Sequence, residues 1–205
     1  MPPLTPANQL IRSRNVTASE VGALLGEHPY QSPGSVWDRL TGYPDERPQS
    51  EAMHVGTLLE PVILRLASER LSVPMRPGPT RLIANSRTFV HHRVRLAATP
   101  DAMIVGPSWH GRALVELKAS GSRWRWEHGL PDDVVWQCRA QMACAKRDRV
   151  IVIVLVGVSV YEYVVERQRG PEQRMLRAVD RFWNEYVMTG IRPPDPVKRL
   201  EIVAG

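Results

Sequence analysis

The amino-acid sequence predicts an α/β protein of the α+β type, in which helices flank a mixed central sheet. Apolar residues recur at helical spacing in the first third of the chain, and short β-branched runs broken by turn residues fill the middle. A helical segment separates these runs from two further strand candidates, a pattern typical of a mixed sheet. No linker of domain-separating length is present, so residues 1–205 are expected to form a single domain.

Helices are expected in the N-terminal part of the chain after an irregular start over residues 1–16. Thr17 and Glu20 form a capping-box pattern, which predicts a short helix that stops at Gly26. Pro61 interrupts the longest helical candidate, where we expect a kink or a free carbonyl one turn earlier. The predicted helices here are residues 17–25, 32–42 and 50–72. The apolar stripe of the longest one contains Val55, Leu58, Leu59, Val62, Ile63 and Leu66.

The middle and C-terminal parts of the chain are expected to combine strands with helices. The turn-forming pairs Asn-Ser, Thr-Pro and Gly-Pro separate the first strands, which favours antiparallel pairing. The predicted strands are residues 80–84, 93–98, 101–105, 112–118, 150–156 and 158–165. The predicted helices are residues 131–146 and 171–188.

The composition excludes several classes of protein. Cys138 and Cys144 are the only cysteines, too few for a disulfide framework or a four-thiolate metal site. No apolar run approaches the roughly 20 residues of a membrane helix, and the first residues lack a secretory pattern, so we expect a cytoplasmic protein with no membrane partner. The net charge of +6 favours a polyanionic partner, although an arginine-rich chain is also what a GC-biased genome produces.

The sharpest chemical signal is a pair of carboxylates followed by a lysine. Asp101 begins one predicted strand, and Glu116 and Lys118 share a face of the next because side chains alternate along a strand. A hairpin through the Gly106–Gly111 turn would bring the Asp101 carboxylate beside Glu116. Neighbouring carboxylates repel each other unless a hard cation such as Mg²⁺ lies between them, and a nearby lysine can orient or deprotonate water. The spacing alone also arises by chance in a chain of this length.

Further segments connect this pattern to a known family. Pro100-Asp101 and Glu116-Leu117-Lys118 match the PD-(D/E)xK nuclease motif as written. The chain has, in order, Thr17-Ala-Ser-Glu20, Gly56-Thr-Leu-Leu-Glu60, Ala98-Thr-Pro-Asp101, Glu116-Leu-Lys118 and Gln137-Cys-Arg-Ala-Gln141-Met142. Over roughly residues 12–165 it therefore resembles the lambda exonuclease / YqaJ-type viral recombinase family. This resemblance implies a restriction-endonuclease-like core.

The resemblance implies a metal-dependent 5′-to-3′ exonuclease that acts on double-stranded DNA ends. Two Mg²⁺ ions are implied, with Mn²⁺ as an alternative, and Asp101 would be shared by both. The implied ligands are Glu60, Asp101, Glu116 and the carbonyl of Leu117. Lys118 would activate the attacking water, and Gln137 would help to position that water or the metal site.

The resemblance also implies a pocket for the terminal 5′-phosphate. Ser19 and Thr99 would cradle the phosphate together with an upstream arginine. Spacing favours Arg12 for that role, and Arg14 stays open as the alternative. A simple capping role is the other interpretation of Ser19. The chain departs from the family at Arg139, where a second glutamine is usual, so no family role is carried to that position.

The product and partners follow from the same resemblance. One strand would be degraded to leave a 3′ single strand for recombination by strand annealing. A homotrimeric ring would enclose the DNA, and a single-strand annealing protein of the same phage or prophage would be the partner in a bacterial cell. Two alternatives stay open, a structure- or site-specific endonuclease with the same core and a non-catalytic DNA-binding protein, because a metal site does not dictate how DNA is presented.

Two basic segments have open roles. Residues 65–95 contain seven arginines and one acid, and they would line a channel that feeds DNA to the site or would in part be solvated surface. The run Arg123-Trp-Arg-Trp126 suits stacking on unpaired bases, although tryptophans packed against the sheet explain it equally well.

Overall fold

The fold is described from a computed structural model, which covers residues 5–43, 50–108 and 110–195. Its helices are α1 (Pro6–Ser13), α2 (Val21–Leu24), α3 (Pro33–Thr41), α4 (Glu51–Arg70), α5 (Trp124–Glu127), α6 (Asp132–Ala145) and α7 (Arg169–Phe182). A 3₁₀ turn over Ala18–Glu20 precedes α2, and a π-helical turn over Trp183–Val187 extends α7. None of the helices in these ranges is long and apolar enough to cross a membrane. The sequence also predicts a loop over residues 43–50, whose positions 44–49 lie outside the described residues.

Two sheets are formed by short strands. The strands are β1 (Val16–Thr17), β2 (Arg81–Ala84), β3 (Phe89–His91), β4 (Leu96–Ala98), β5 (Ala102–Val105), β6 (Leu114–Ser120), β7 (Arg149–Val156) and β8 (Ser159–Glu166). The larger sheet has the order β2-β5-β6-β7-β8, with β6 and β7 parallel and the other neighbours antiparallel. This sheet is mixed, as the sequence predicts.

The smaller sheet has the order β1-β4-β3 and connects the N-terminal segment to the middle of the chain. β1 pairs with β4 in parallel, with Val16 opposite Leu96 and Thr17 opposite Ala97. Because the two strands are parallel, the segments that follow them leave the sheet in the same direction. The turn after Thr17 and the segment before Asp101 therefore lie next to each other.

Helices cover both faces of the larger sheet. Val115 and Leu117 of β6 pack with Ile63 of α4 on one face. Leu114 packs with Met142 of α6 on the other face. The alternation predicted from the sequence is confirmed, and it leaves the polar residues of β6 on the side of α6.

Helix ends in the N-terminal region follow their sequence signals. The Thr17–Glu20 capping box is present, and Ser32 caps α3 by accepting a hydrogen bond from the Ser35 N–H. Gly42 ends α3 with φ of +86°, a conformation that costs glycine little. The predicted boundaries of both segments are confirmed.

Three local predictions are wrong. Residues 6–13 form α1 rather than an irregular start, because Thr5 caps this helix and Pro6 occupies its first turn. α1 is only eight residues long and buries no residue, so it has no core-facing stripe, and its capping pair Thr5-Pro6 is the sequence signal that identifies it. The region 93–98 contains only β4, and β3 precedes it without having been predicted. Half of the stripe expected on α4 is exposed, namely Val55, Leu58 and Val62. Pro61 lies inside α4, and because it has no N–H the Thr57 carbonyl lacks its helical partner, which is one of the two expected effects.

Candidate active site

Asp101, directly before β5, lies close to Glu116 of the neighbouring strand β6. Ala102 of β5 is opposite Val115 of β6, and Oδ2 of Asp101 accepts a hydrogen bond from the Leu117 N–H at 2.8 Å. Burial and the negative charge of Glu116 raise the pKa of Asp101 well above its usual range. The hairpin expected from the sequence therefore brings the two carboxylates together.

Lys118 and Gln137 both bind one oxygen of Glu116. Nζ of Lys118 lies 2.7 Å from Oε1, and Nε2 of Gln137 donates to the same oxygen at 2.5 Å. Lys118 also donates to Oε1 of Gln137 at 3.0 Å, so the three side chains are joined pairwise. Burial by itself lowers the pKa of Lys118, but Glu116 and Asp101 outweigh it and the pKa is raised. The lysine is therefore held in its protonated form in this arrangement.

Gln141 completes the surroundings of Glu116 and was given no role from the sequence. Its side chain is fully buried, and its Nε2 donates to Oε2 of Glu116 at 2.5 Å. Gln137 and Gln141 are four residues apart on α6 and thus lie on the same face of the helix. Each oxygen of Glu116 consequently accepts a hydrogen bond from an amide. The i, i+4 spacing was the signal that could have identified Gln141.

Glu60 projects from α4 toward the same group of charges. It is half-buried, and burial raises its pKa, with a further contribution from Glu116. Glu60 in turn contributes to the raised pKa of Asp101. The three predicted acidic residues are thus within electrostatic reach of one another.

The donor set fits a hard divalent cation held by few protein ligands. In the part of the chain that the structure describes, no three His, Cys, Asp or Glu residues form a group that could by itself hold a metal ion. Mg²⁺ needs fewer protein ligands than three, because it binds through one or two carboxylates and completes its shell with waters and substrate phosphates. Asp101 and Glu116 supply such a pair. Burial and the negative charge of Glu116 both raise the pKa of Asp101, and a bound cation would favour its charged form.

Arg12 and Thr99 form one side of the predicted phosphate pocket. Nη1 of Arg12 donates to Oγ1 of Thr99 at 3.4 Å, and Thr88 shares a hydrogen bond of 2.9 Å with the same hydroxyl. Burial lowers the pKa of Arg12, whereas the nearby acids, Asp101 among them, act in the opposite direction. Arg12 is therefore close to the carboxylate pair.

Ser19 lies in the turn that follows β1, next to the segment that carries Thr99. The pairing of β1 with β4 carries the turn with Ser19 toward the segment with Thr99. The Ser19 side chain is exposed, and its hydroxyl contacts that of Thr17 at 3.2 Å. Arg14, the open alternative to Arg12, is exposed, and its side chain makes no hydrogen bond or ion pair with the other described residues. The geometry favours Arg12.

Arg139 binds within the protein rather than in the site. Its guanidinium carbon lies 4.9 Å from the centre of the Trp136 ring, and it donates a hydrogen bond to Gln168 at 3.0 Å. The departure from the family pattern at this position therefore places a stacked arginine on the outside of α6.

Several arginines of the other two basic segments, residues 123–126 and 65–95, also make contacts within the protein. Trp126 is buried and Trp124 is 76% exposed, so the two tryptophans of the Arg-Trp run have different surroundings. Arg125 makes an ion pair with Asp133. Four of the seven arginines of residues 65–95 have partners in the structure, and these are Arg70, Arg81, Arg87 and Arg95. The expectation that this segment lines a channel for DNA stays a prediction.

Two comparisons of the sequence with known proteins agree. A family model for the YqaJ-like viral recombinase domain matches residues 9–148. The protein YqaJ of Bacillus subtilis (strain 168) is 24% identical over 190 residues, which cover 89% of this chain and 56% of that protein. The chain thus spans little more than half the length of this relative.

Solved structures share the fold. The alkaline exonuclease LHK-Exo from Laribacter hongkongensis matches with a TM-score of 0.70 at 20% identity, over 91% of this chain and 94% of that chain. Its complex with dAMP matches with a TM-score of 0.71 at 20% identity, with the same coverage. A phage related exonuclease from Haemophilus somnus 129PT matches with a TM-score of 0.59 at 12% identity, over 90% and 99%. The predicted fold class, with a restriction-endonuclease-like core, is confirmed.

Proposed function

Because the chain belongs to the YqaJ-like viral recombinase domain family, we propose that it is a metal-dependent 5′-to-3′ exonuclease that degrades one strand from the ends of double-stranded DNA. The observation that carries the proposal is the buried contact between Asp101 and β6, which sets two carboxylates beside Lys118. Burying carboxylates and an ammonium costs free energy, and such groups are retained where they do chemistry.

The side chains of the site divide the work of phosphodiester hydrolysis. A bound divalent cation would polarise the phosphate and acidify water. Asp101 and Glu116 would hold that cation, with the Leu117 carbonyl, and Glu60 would take part in a second site. Gln137 fixes the orientation of Glu116 through its 2.5 Å hydrogen bond. Lys118 keeps its proton beside the two carboxylates, which suits it to orient the attacking water and to stabilise phosphate charge.

The direction of digestion is proposed from the pocket of Arg12, Ser19 and Thr99. A terminal 5′-phosphate carries a charge of about −1.5 to −2, more than an internal phosphodiester, and so gains more from a partly buried arginine. The Arg12 guanidinium is near both Thr99 and the carboxylate pair. A phosphate held there would place the first internal phosphodiester toward Asp101 and Glu116.

The biological role follows from family membership. The product would be a 3′ single strand, used in phage-type recombination by an annealing protein encoded with this one. A homotrimeric ring around the DNA is proposed on the same basis. A phage or prophage protein acting in the cytoplasm of a bacterial host is the corresponding setting.

Digestion of defined duplexes tests the proposal. Linear DNA with 5′-phosphoryl ends should be degraded in Mg²⁺ to leave 3′ single strands, whereas closed circular DNA should survive. Cleavage of the circle would favour the endonuclease alternative. Activity that persists in excess chelator would contradict the metal dependence, and no digestion of any duplex would favour a non-catalytic DNA-binding protein.

A matched pair of variants tests the phosphate pocket. Arg12→Gln should lower kcat/KM on 5′-phosphoryl ends by at least about tenfold, since hydrogen bonds to charged groups contribute about 1.5–3 kcal/mol. Arg14→Gln removes the same charge two residues away and should change the rate by less than about twofold. The reverse ranking would assign the pocket to Arg14.

A further inference from the structure

Arg39, in the last turn of α3, binds three separate groups between α1 and the turn that carries Ser19. Its Nε and Nη2 donate to the two oxygens of Glu20 at 2.5 and 2.7 Å. Nη1 donates to the carbonyl of Arg12 at 3.1 Å, and Nη2 also donates to the carbonyl of Asn15 at 2.9 Å. Arg39 therefore satisfies carbonyls at the end of α1 while it occupies both oxygens of one carboxylate.

The carboxylate that Arg39 occupies is itself buried and fixes the pocket turn. Glu20 is 5% exposed and accepts hydrogen bonds from the N–H and the hydroxyl of Thr17 at 2.8 and 2.9 Å. The single proton of the Thr17 hydroxyl is thus used on Glu20. The Ser19 hydroxyl must then be the donor in its contact with Thr17.

The Arg12 guanidinium is within electrostatic range of Glu20 as well as of the pair Asp101 and Glu116. Besides burial, the charges that act on its guanidinium include Glu20, which attracts it, and Arg39, which repels it. In the structure Arg12 turns toward Thr99, while both oxygens of Glu20 are taken by Arg39. A buried carboxylate without Arg39 would need another cation, and Arg12 is the nearby arginine on α1.

We propose that Arg39 is a positioning residue that keeps Arg12 in the 5′-phosphate pocket by neutralising Glu20. The inference rests on the proposed function, because it identifies what sustains the preference for 5′-phosphoryl ends. Arg39 acts through Arg12 and makes no contact with DNA in this scheme. Without it, Glu20 captures Arg12 and the pocket loses its principal cation.

A double substitution separates this role from a general effect on folding. Arg39→Gln leaves the Glu20 charge uncompensated and should lower the ratio of kcat/KM on 5′-phosphoryl to 5′-hydroxyl duplex ends by at least about fivefold. Saturating kcat should change little. Glu20→Gln combined with Arg39→Gln removes the capturing charge, and glutamine can still accept the Thr17 N–H. The double variant should therefore return the ratio to within about twofold of the wild type.

Arg192→Gln is the matched control. It removes an arginine that binds Asp38, the residue next to Arg39 on α3, through two hydrogen bonds of 2.9 and 3.0 Å. This exposed pair is remote from Glu20 in the hydrogen-bond network, so the end preference should be unchanged. If Arg39→Gln does not fold, Arg39→Lys tests the same point. Lysine keeps the charge but cannot serve all four acceptors, and an intermediate loss of preference is expected.

Digestion rates and affinities for the two kinds of DNA end together distinguish a failure of this inference from a failure of the proposed function. Wild-type preference in Arg39→Gln, or equal loss in the single and double variants, would overturn the inference. Equal rates and equal binding of the wild type on both ends would remove the phosphate pocket and this inference, while exonuclease activity stands. If the wild type digests no DNA, affinities for the two ends in chelator decide. The inference is supported if the wild type binds 5′-phosphoryl ends more tightly, the single variant loses this preference and the double variant regains it. Equal affinities of the wild type for the two ends overturn it.

Discussion

Nζ of Lys118 lies 2.7 Å from Oε1 of Glu116, two residues earlier on the same strand. The pair shares a face of β6 because side chains alternate along a strand, and Glu116 is only 2% exposed. The buried carboxylate depends on the neighbouring ammonium for compensation of its charge. The chemistry proposed for the site therefore depends on both residues and on the amides that hold them.

Lys118→Met should abolish most of the nuclease activity, because methionine keeps most of the length of the side chain but not the ammonium. A loss of about 10²- to 10³-fold in single-turnover rate is expected, the range found when one preorganised electrostatic donor is removed. Lys146→Met, at an exposed lysine, is the control and should retain the wild-type rate. An active Lys118→Met protein would show that the proposed site is not the catalytic one.

Gln141→Leu should lower kcat on DNA ends by about tenfold or more and leave KM nearly unchanged. The substitution removes the N–H that binds Oε2 of Glu116, and a hydrogen bond to a charged group contributes about 1.5–3 kcal/mol. Oε1 of Gln141 has no hydrogen-bond partner among the described residues, so leucine also removes an unsatisfied polar atom. The stability measured by chemical denaturation should therefore change little.

Gln173→Leu, at an exposed position of α7, is the matched control for Gln141→Leu. It should leave both kcat and stability as in the wild type. A Gln141→Leu protein with wild-type kcat would limit Gln141 to a packing role.

These residues show which parts of the site can be predicted from sequence. Asp101, Glu116 and Lys118 come from one hairpin, whose strand alternation and turn are local properties of the chain. The contact of Gln141 with Glu116 requires the packing of α6 on β6, which joins residues 25 apart. The hydrogen bonds of Arg39 to Arg12 and Glu20 likewise depend on how α3 lies against α1, which no local pattern determines.

The same distinction between local patterns and long-range packing holds for the fold. The capping box at Thr17 and the glycine stop at Gly42 depend on adjacent residues, and both are confirmed. α1 is short and buries nothing, so core patterning does not identify it, and apolar spacing overestimates the stripe of α4 because it does not say which side faces a neighbour. Leu58 illustrates this, since it fits the helical period and is 64% exposed.

Asp101→Asn should abolish activity and, in chelator, raise the free energy of unfolding by about 1 kcal/mol. Burial and Glu116 disfavour the charged form of Asp101, and asparagine removes that charge while Oδ1 can still accept the Leu117 N–H. Adding Mg²⁺ should raise the Tm of the wild type but not that of the variant, because a cation that binds only the folded state stabilises it. Equal Mg²⁺ shifts in both proteins would contradict a site at Asp101. Asp148→Asn, at an 86% exposed side chain, is the control and should keep the wild-type shift.

The two cysteines should be inert to thiol reagents in the folded protein. Cys144 is buried, its thiol donates to the Leu96 carbonyl at 3.6 Å, and burial raises its pKa to about 12. At pH 8 only about one thiol in ten thousand would then be ionised, against about a quarter for a cysteine of ordinary pKa near 8.5. Cys138 is fully buried as well, and burial raises its pKa in the same direction. Ellman's reagent should therefore detect almost no thiol in the native protein and two per chain in denaturant. Because the thiolate is the reactive form, any native labelling should become faster as pH rises toward 12.

Rapid labelling of the native protein at pH 8 would contradict the burial of α6 against the sheet.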